Sequence, residues 1–298
     1  MNETKSFLKS IGLPGEDAYN LPTSEKRFSD GGQYRFEVPG IQSPASMNAL
    51  LEEVDKYKII VHRVTQTKGI MLLSDNEIVE MVSLAKDAEV DLVLAIGPRA
   101  TYDTSASMLT AEGQRMGLRL RGQEQVVRAI EDVKRAAALG CNSFLLYDEG
   151  LLWILDQMRK LEDLPSNLKF KVSAHCGHGN PCSAKLLENL GANSINPVRD
   201  LQLPMLSSLR TAINIPIDLH TENPASSGGF IRHYEVPEMI RLCAPLYLKT
   251  GGSVAKTHGW DTTVAEAKQR AKQVSLVKRV IDSYYPEALC SQKGSISL

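Results

Sequence analysis

Residues 216–222 read Pro-Ile-Asp-Leu-His-Thr-Glu, a short apolar run that ends in a polar cluster before a helix-like stretch. Three more polar clusters follow apolar runs in the same way in the C-terminal half of the chain. They are residues 173–177, 196–200 and 249–252. Strands that alternate with helical stretches form parallel βα units, and in a closed barrel the ends of all strands share one rim. The four clusters therefore predict chemistry at that rim.

Eight strand candidates follow one another along the chain, and helix candidates lie between them. The predicted strands are residues 34–38, 59–64, 92–96, 143–147, 170–174, 194–196, 216–219 and 246–249. Helix starts are marked by Ser43 before Pro44 and by the capping-box spacing of Ser74 and Glu77. No Gly-x-Gly-x-x-Gly fingerprint follows the first strand, which disfavours the alternative, an open doubly wound sheet.

These elements predict a single α/β domain, a (β/α)8 TIM barrel. The chain has 298 residues, and such a barrel typically takes roughly 250. We assign residues 33–298 to the barrel. Residues 1–32 are rich in turn signals, with one short helix candidate at residues 5–11, and are predicted to be a lead-in segment packed on the barrel.

Composition narrows the classes of partner. Lys plus Arg number 34 against 35 Asp plus Glu, a net charge of -1, so no strong field attracts nucleic acid or an acidic membrane. No apolar run approaches the roughly 18 residues of a membrane span, and residues 1–7 lack a signal-peptide layout. Five cysteines, an odd number in a long chain, favour free thiols in a reducing cytoplasm. We expect a cytoplasmic protein with a small-molecule substrate, and a homo-oligomer is compatible with these features.

Three of the six histidines, His62, His175 and His220, stand at the ends of different predicted strands. Within residues 216–222, Asp218, His220 and Glu222 share one face, opposite to Ile217, Leu219 and Thr221, so they are predicted to point together into the barrel. Imidazoles and carboxylates are ligands of divalent ions. We predict a zinc, manganese or iron site made by His175, His220 and Glu222. The acidic residues predicted to act catalytically beside it are Asp148, Glu149 and Asp218.

Lys249 ends the last predicted strand and is the fourth predicted catalytic residue, either as a cation for an anionic substrate or, when desolvated, as a Schiff-base amine. Loops after strands seven and eight of barrels often bind phosphate through backbone amides. The glycine-containing loops here predict anion contacts at Gly228, Gly229, Thr250, Gly251 and Gly252. Arg63 and Arg99, at other strand ends, are predicted to clamp a carboxylate. The long connections at residues 98–121 and 223–235 are candidates for substrate lids or partner contacts.

Residues 175–182 contain two histidines and two cysteines. This spacing leaves two other hypotheses open, a structural zinc loop and a nucleophilic Cys176 or Cys182. The simpler interpretation is that His175 belongs to the rim, that Asn180 and Pro181 start a helix, and that Cys182 is buried filler.

Several segments of the chain resemble a family of bacterial TIM-barrel proteins known as collagenase-like peptidases of unknown catalytic type. The segments that carry the resemblance are residues 21–28, 33–35, 62–66, 196–200 and 218–223. The family's usual signature, a Glu-led segment with a Gly-small-apolar-Cys core and a second Cys, is absent, and residues 176–182 are its nearest counterpart. The resemblance implies a barrel over nearly the whole chain, and the missing signature weakens the implication of peptide hydrolysis.

Three functional hypotheses follow. The first is a metal-assisted hydrolase, peptidase-like in one form, or lyase that acts on a small carboxylate- or phosphate-bearing substrate at the rim. The second is a metal-free acid–base or Schiff-base enzyme that uses Lys249. The third is a non-catalytic barrel that binds a ligand or partner chain.

Overall fold

The computed structural model describes residues 2–10, 20–97, 110, 118–256 and 261–295. Eight parallel strands form a closed barrel in which each strand pairs with its sequence neighbours and β8 pairs with β1. The strands are β1 Tyr34–Pro39, β2 Arg63–Gln66, β3 Asp91–Ala95, β4 Ser143–Leu146, β5 Lys169–Val172, β6 Ser194–Ile195, β7 Ile217–His220 and β8 Leu246–Lys249. The predicted (β/α)8 barrel is confirmed.

Helices surround the barrel. They are α1 Asn2–Ser10, α2 Pro44–Tyr57, α3 Asp75–Asp87, α4 Gly122–Ala138, α5 Glu149–Lys160, α6 Pro181–Asn189, α7 Leu203–Ala212, α8 Val236–Cys243 and α9 Val264–Tyr284. Capping residues explain several starts: Ser43, Ser74 and Thr263 each form a capping box with the residue three positions on. The caps at Ser43 and Ser74 were predicted, and they satisfy backbone N–H groups that a helix start leaves without intrahelical acceptors.

The strands alternate between two different environments. Side chains that point outward are apolar and pack under the helices in one large core; Phe36, Val64 and Leu248 are examples. Part of the barrel interior is also apolar, where Val93 and Leu145 meet. The remainder of the interior is polar, so the buried charges of the chain are concentrated inside the barrel.

The N-terminal end of the barrel is closed by two segments. In the first, residues 20–33, the Ser24 hydroxyl donates to the Ala244 carbonyl, and the Phe28 ring packs edge-on against Tyr247 at a centroid distance of 5.4 Å. In the second, residues 289–295, the Ser291 hydroxyl accepts a hydrogen bond of 2.9 Å from Arg35 Nε. These contacts keep solvent away from the lower interior.

Strand β2 begins four residues later than the predicted 59–64. Ile59 is half-buried and Ile60 is exposed, so the apolar run that suggested a strand lies before it. Among the described residues, no helix is long and apolar enough to cross a membrane.

Candidate functional site

Polar side chains from adjacent strand ends share one half of the rim. Tyr147 follows β4, His175 follows β5, and Arg199 lies in the loop after β6. His220 and Lys249 end β7 and β8 and lie side by side in the sheet register. The ring centroids of Tyr147 and His175 are 6.3 Å apart. We call these five residues the rim cluster.

Lys249 is the most chemically distinctive member of the rim cluster. Its Nζ donates to Asn196 Oδ1 at 3.1 Å and lies 3.5 Å from Glu37 Oε1. Burial and the positive charge of Lys171 lower the pKa of Lys249 to about 8, although the Glu37 carboxylate opposes the shift. An amine with this pKa exists partly in its neutral, nucleophilic form at a physiological pH.

Below Lys249, charged residues fill the polar part of the barrel interior. Within the described residues, three carboxylates meet three cations there, and the set is Glu37, Asp91, Asp218, Arg63, Lys171 and Lys249. We call these six residues the interior network. Lys171 pairs with Glu37 and with Asp218, whose Oδ2 is 3.0 Å from Lys171 Nζ.

Glu37 connects the interior network to the rim. Its carboxylate is fully buried and accepts hydrogen bonds from the Thr65 hydroxyl at 2.8 Å and from Lys171. Burial alone would raise the pKa of Glu37, but Lys171, Lys249 and Arg63 hold it well below its usual range. Glu37 therefore stays ionised and holds its negative charge beside Lys249.

Arg63 does not serve at the rim, contrary to the prediction. It starts β2, and its Nε donates to Asp91 at 3.0 Å while Nη1 lies 3.3 Å from Asp218. Its guanidinium also stacks 3.5 Å from the Tyr247 ring centroid. Because these carboxylates already neutralise Arg63 in the buried interior, it has no free fork for a substrate carboxylate.

His62 also lies at the N-terminal end of the barrel and not at the rim. Its Nδ1 accepts from the Phe36 backbone N–H, and its Nε2 is 2.9 Å from the Ser291 carbonyl oxygen. Burial lowers the pKa of His62 to about 4, so the ring is neutral and its role is structural.

Asp218 is in the interior as predicted, but its carboxylate pairs with Arg63 and Lys171 and accepts from the Ser194 hydroxyl at 2.9 Å. Asn196 donates through its side-chain amide to the Asp218 backbone carbonyl at 2.7 Å. Asp218 therefore supports the residues around Lys249, and nothing in its contacts leaves the carboxylate open to a substrate.

The residues predicted to bind a metal do not gather into one ligand set. Arg199 Nη2 is 3.0 Å from His175 Nε2, and Arg199 Nε donates to His220 Nε2 at 3.4 Å. Glu222 is turned to other partners, the Gly251 backbone N–H at 2.7 Å and His233 Nε2 at 3.0 Å. In the part of the chain described here, no group of three or more His, Cys, Asp or Glu residues could hold a metal ion. A guanidinium between two imidazoles does not fit a cation site, so we derive no chemistry through a metal.

Asp148 and Glu149 have roles of their own after β4. The Asp148 carboxylate caps α5 by accepting from the Leu151 backbone N–H at 3.0 Å. Glu149 forms a two-point pair with Arg119 and contacts His178 Nε2 at 2.6 Å. Burial would raise the pKa of Glu149, but His178 and Arg119 hold it well below its usual range. Glu149 is therefore a fixed anion, which is a poor proton donor at neutral pH.

Four of the five backbone N–H groups predicted to bind an anion already have acceptors within the protein. The Gly228 and Gly229 backbone N–H groups donate within their own loop, to the carbonyls of Ala225 and Pro224. The Gly251 N–H donates to the Glu222 carboxylate, and the Thr250 N–H donates to the Glu37 carbonyl.

Gly251 has a further structural reason to be glycine. Its φ of +97° favours glycine, and an added Cβ would lie 2.9 Å from Arg270 Cβ. Gly252 is buried against the Glu222 carbonyl. Arg99 and most of the connection at residues 98–121 lie outside the described residues.

The cysteines of residues 175–182 have separate environments. Cys176 is buried, and burial raises the pKa of its thiol to about 12, whereas Cys182 is exposed and not the buried filler we predicted. A thiol with a raised pKa is a weak nucleophile, so Cys176 is not an activated one. Asn180 caps α6 through its side chain, with Pro181 in the first turn, as predicted. All five cysteines are free thiols.

Sequence reasoning missed three residues that shape this site, Glu37, Lys171 and Arg199. Glu37 and Lys171 lie inside strands, whereas the predicted site residues lie at strand ends and in loops. The available signal was alternation, because each stands between two outward-facing apolar residues. Arg199 was within the polar cluster of residues 196–200, but nothing local indicated that it would reach both imidazoles.

Comparison with known proteins finds similar solved structures but no matching family. No family model matches the chain, and no curated protein matches it. Similar solved structures include a U32 peptidase, 16% identical over 69% of this chain and 74% of that chain, with a TM-score of 0.41. A thiamine phosphate pyrophosphorylase from Pyrococcus furiosus is 11% identical over 84% of this chain and 98% of that one, with a TM-score of 0.48.

A 3-hexulose-6-phosphate synthase is 12% identical, with 82% of this chain and 99% of that chain covered and a TM-score of 0.46. At these identities and scores the likeness carries no argument about substrate or chemistry. The fold follows from the chain's own closed order of eight strands.

Proposed function

We propose that this chain is a metal-free enzyme that forms a Schiff base between Lys249 and the carbonyl carbon of a small carboxylate- or phosphate-bearing substrate. The observation that carries the proposal is the environment of the Lys249 amine. It is only 5% exposed, at the C-terminal end of a barrel strand, and its pKa is lowered to about 8. Strand ends at this face carry the chemistry of barrel enzymes.

The proposed chemistry begins with the neutral amine. Lys249 Nζ attacks the carbonyl carbon, the carbonyl oxygen takes up the two amine protons and leaves as water, and the resulting imine takes up one proton from solvent to become an iminium that withdraws electrons from the neighbouring carbon. This electron withdrawal eases the removal of a proton or the cleavage of a carbon–carbon bond, which is lyase chemistry. His220, adjacent to Lys249 in the sheet register, and His175 supply the groups for proton transfer.

The neighbours of Lys249 suit this role. Asn196 Oδ1 accepts one N–H of the amine and so fixes its direction, while Asn196 itself is held by the Asp218 backbone. The Glu37 carboxylate limits the fall in the pKa of Lys249, so at pH 8 roughly half of the amine is protonated. The positive charges of Lys171 and Arg199 favour the neutral half.

A borohydride trap tests the proposal directly. The protein is incubated with pyruvate, with hydroxyacetone phosphate or with glyoxylate, reduced with sodium borohydride, and digested for peptide mass spectrometry. We expect a reduced adduct on Lys249. Lys171 is an internal control, because Glu37 and Asp218 hold its ammonium group on both sides. Lys185 on the helix surface reports nonspecific labelling.

Each result separates the three hypotheses. No adduct on Lys249 with any probe, or equal labelling of Lys185, would contradict the Schiff-base proposal. Stoichiometric zinc, manganese or iron in the purified protein, with activity lost to a chelator, would favour a metal-assisted hydrolase or lyase in its place. Ligand binding without trapping, turnover or metal would favour a non-catalytic barrel.

A further inference from the structure

Arg199 has an unusual set of partners for a half-buried arginine. Its hydrogen bonds run to the Nε2 atoms of His175 and His220, at 3.0 and 3.4 Å. No carboxylate pairs with it anywhere in the described ranges, and its Nη1 donates to none of the described residues. Burial lowers its pKa from the ordinary value. Its positive charge is therefore desolvated without a neutralising anion, an arrangement that costs free energy.

Three other arginines of the protein, in contrast, donate to carboxylate or carbonyl oxygens. Arg119 forms its two-point pair with Glu149, and Arg232 pairs with Glu235 close to the same rim. Arg270 donates to two backbone carbonyls, those of Pro39 and Gly251, and bonds to no carboxylate of the described residues. Among the described residues Arg199 has neither a carboxylate nor a carbonyl acceptor, so its surroundings are incomplete in a way that those of the other three are not.

The two imidazoles restrict what the missing partner can be. For Arg199 to donate to both Nε2 atoms, these atoms must act as acceptors, which places any ring proton on Nδ1. Both rings then orient the guanidinium plane without adding charge. The charge of Arg199 also reaches Lys249, since it is among the charges that lower the pKa of that amine.

The other side of the interior is mostly apolar among the described residues, and the Tyr147 ring is part of it. Val93, Ala95 and Leu145 form an apolar cluster there, on which Leu118 packs. An anion that enters the mouth of the barrel therefore meets positive charge on one side only. A planar guanidinium fork matches the oxygens of a carboxylate or phosphate.

We propose that Arg199, oriented by His175 and His220, is the receptor for the oxyanion of the substrate and places the substrate carbonyl at Lys249. The inference deepens the proposed function and rests on it for the identity of the site. It assigns the substrate class as a carbonyl compound with a carboxylate or phosphate close to the carbonyl group. Recognition of the oxyanion itself does not depend on the covalent step, so the two can be tested apart.

Calorimetry with oxalate and with inorganic phosphate measures the receptor alone. In Arg199→Met, we expect affinity to fall by about tenfold to a hundredfold, the effect of losing a charge-assisted two-point contact. Arg199→Lys should recover part of the affinity because it retains charge without the fork. Arg119→Met is the matched control, since Glu149 already neutralises Arg119, and its affinity should stay within about twofold of wild type.

Borohydride trapping with pyruvate and with acetone tests the coupling to Lys249. Arg199→Met should reduce labelling by pyruvate much more than labelling by acetone, which lacks a carboxylate and so reports only the change that the lost Arg199 charge makes in the Lys249 amine. Thermal melting of each variant shows whether the fold is retained, and the milder Arg199→Lys keeps the test valid if the methionine variant does not fold.

The outcomes are distinguishable. Anion binding that depends on Arg199 in a protein that never labels at Lys249 supports the receptor and removes the Schiff-base function. A second outcome is that Lys249 is labelled, but neither Arg199 variant changes the affinity for oxalate and phosphate or the selectivity for pyruvate. This outcome contradicts the receptor proposal and leaves the Schiff-base function standing. If the wild-type protein binds none of oxalate, phosphate and pyruvate at millimolar concentration, the proposal that Arg199 is an oxyanion receptor is wrong. Preference for phosphate over oxalate, or the reverse, identifies which oxyanion the substrate carries.

Discussion

Arg63 and Arg199 are both arginines of the same barrel, yet they have opposite surroundings. Arg63, low in the interior, lies within 4 Å of three carboxylates, those of Glu37, Asp91 and Asp218. Arg199, at the rim, lies between two imidazoles and has no carboxylate among the described residues. A buried charge therefore signals a ligand site only when its partners inside the protein are incomplete.

The two ends of the barrel explain the difference. Residues 20–33 and 289–295 close the N-terminal end, so the interior network must neutralise its own charges. The rim faces the side from which a substrate enters a barrel, where an external anion can supply the missing charge. Lys249 belongs to both regions, because it contacts Glu37 below and ends β8 above.

Removing a carboxylate from the interior network should have the largest effect. Asp218→Ala leaves Lys171 with Glu37 alone and takes one partner from Arg63. We expect the free energy of unfolding to fall by about 3–5 kcal/mol, the cost of leaving a buried charge uncompensated. Urea unfolding at pH 7 measures it. A loss below about 1 kcal/mol would mean that water or rearrangement compensates the charge, and the contrast between the two regions would not hold.

Lys249→Met should change stability in a pH-dependent way. Because folding lowers the pKa of Lys249 from 10.5 to about 8, the unfolded chain holds the proton more tightly above pH 8. The wild-type free energy of unfolding therefore gains from this residue as pH rises from about 8 towards 10.5. Methionine does not titrate, so this gain is absent from the variant. Between pH 8 and pH 10 the free energy of unfolding of the variant should therefore fall by about 2 kcal/mol relative to that of the wild type.

Urea unfolding of both proteins across this range gives the measurement, and the thiols and tyrosines that also titrate there are common to both and cancel in the difference. Lys171→Met is the matched control. Its ammonium sits between Glu37 and Asp218, so its removal should destabilise the protein at every pH in the range. A difference between wild type and Lys249→Met that does not change with pH would contradict the proposed environment of the amine.

Most of the fold could be predicted because its signals are local. The period-two pattern of apolar residues and the caps at Ser43 and Ser74 located elements that the structure confirms. The error at β2 has a physical cause: the run at residues 59–61 is apolar but lies before the strand. The strand itself, Arg63–Gln66, is largely polar because Arg63 and Thr65 face the interior network.

The site was harder to predict because partners come from distant parts of the chain. Sequence placed Lys249, His175 and His220 at the rim but could not show that Arg199 would lie between the imidazoles. It also could not show that the Gly251 N–H would donate to the Glu222 carboxylate. This hydrogen bond occupies Gly251, a predicted anion contact, and Glu222, a predicted metal ligand. Polar residues at strand ends identify a rim, whereas the pairing among them decides which one stays available to a substrate.

The smallest effect is expected for a paired charge at the rim, Glu149→Ala. This pair resembles those of the interior network in its hydrogen bonds, but the Arg119 side chain is 42% exposed, so water can replace the lost carboxylate. We expect a loss below about 1 kcal/mol at pH 7, the range of solvent-exposed ion pairs. Folding holds the pKa of Glu149 well below its usual range, with His178 and Arg119 as the stabilising partners, so its contribution is fully present above the ordinary value of 4.5 and is lost progressively as pH falls from there towards the folded pKa. Urea unfolding at pH 7 and pH 4 should therefore show a smaller difference from wild type at the lower pH. A loss comparable to that of Asp218→Ala would mean that exposure does not separate the rim from the interior, and that the proposed reason for the incomplete surroundings of Arg199 is wrong.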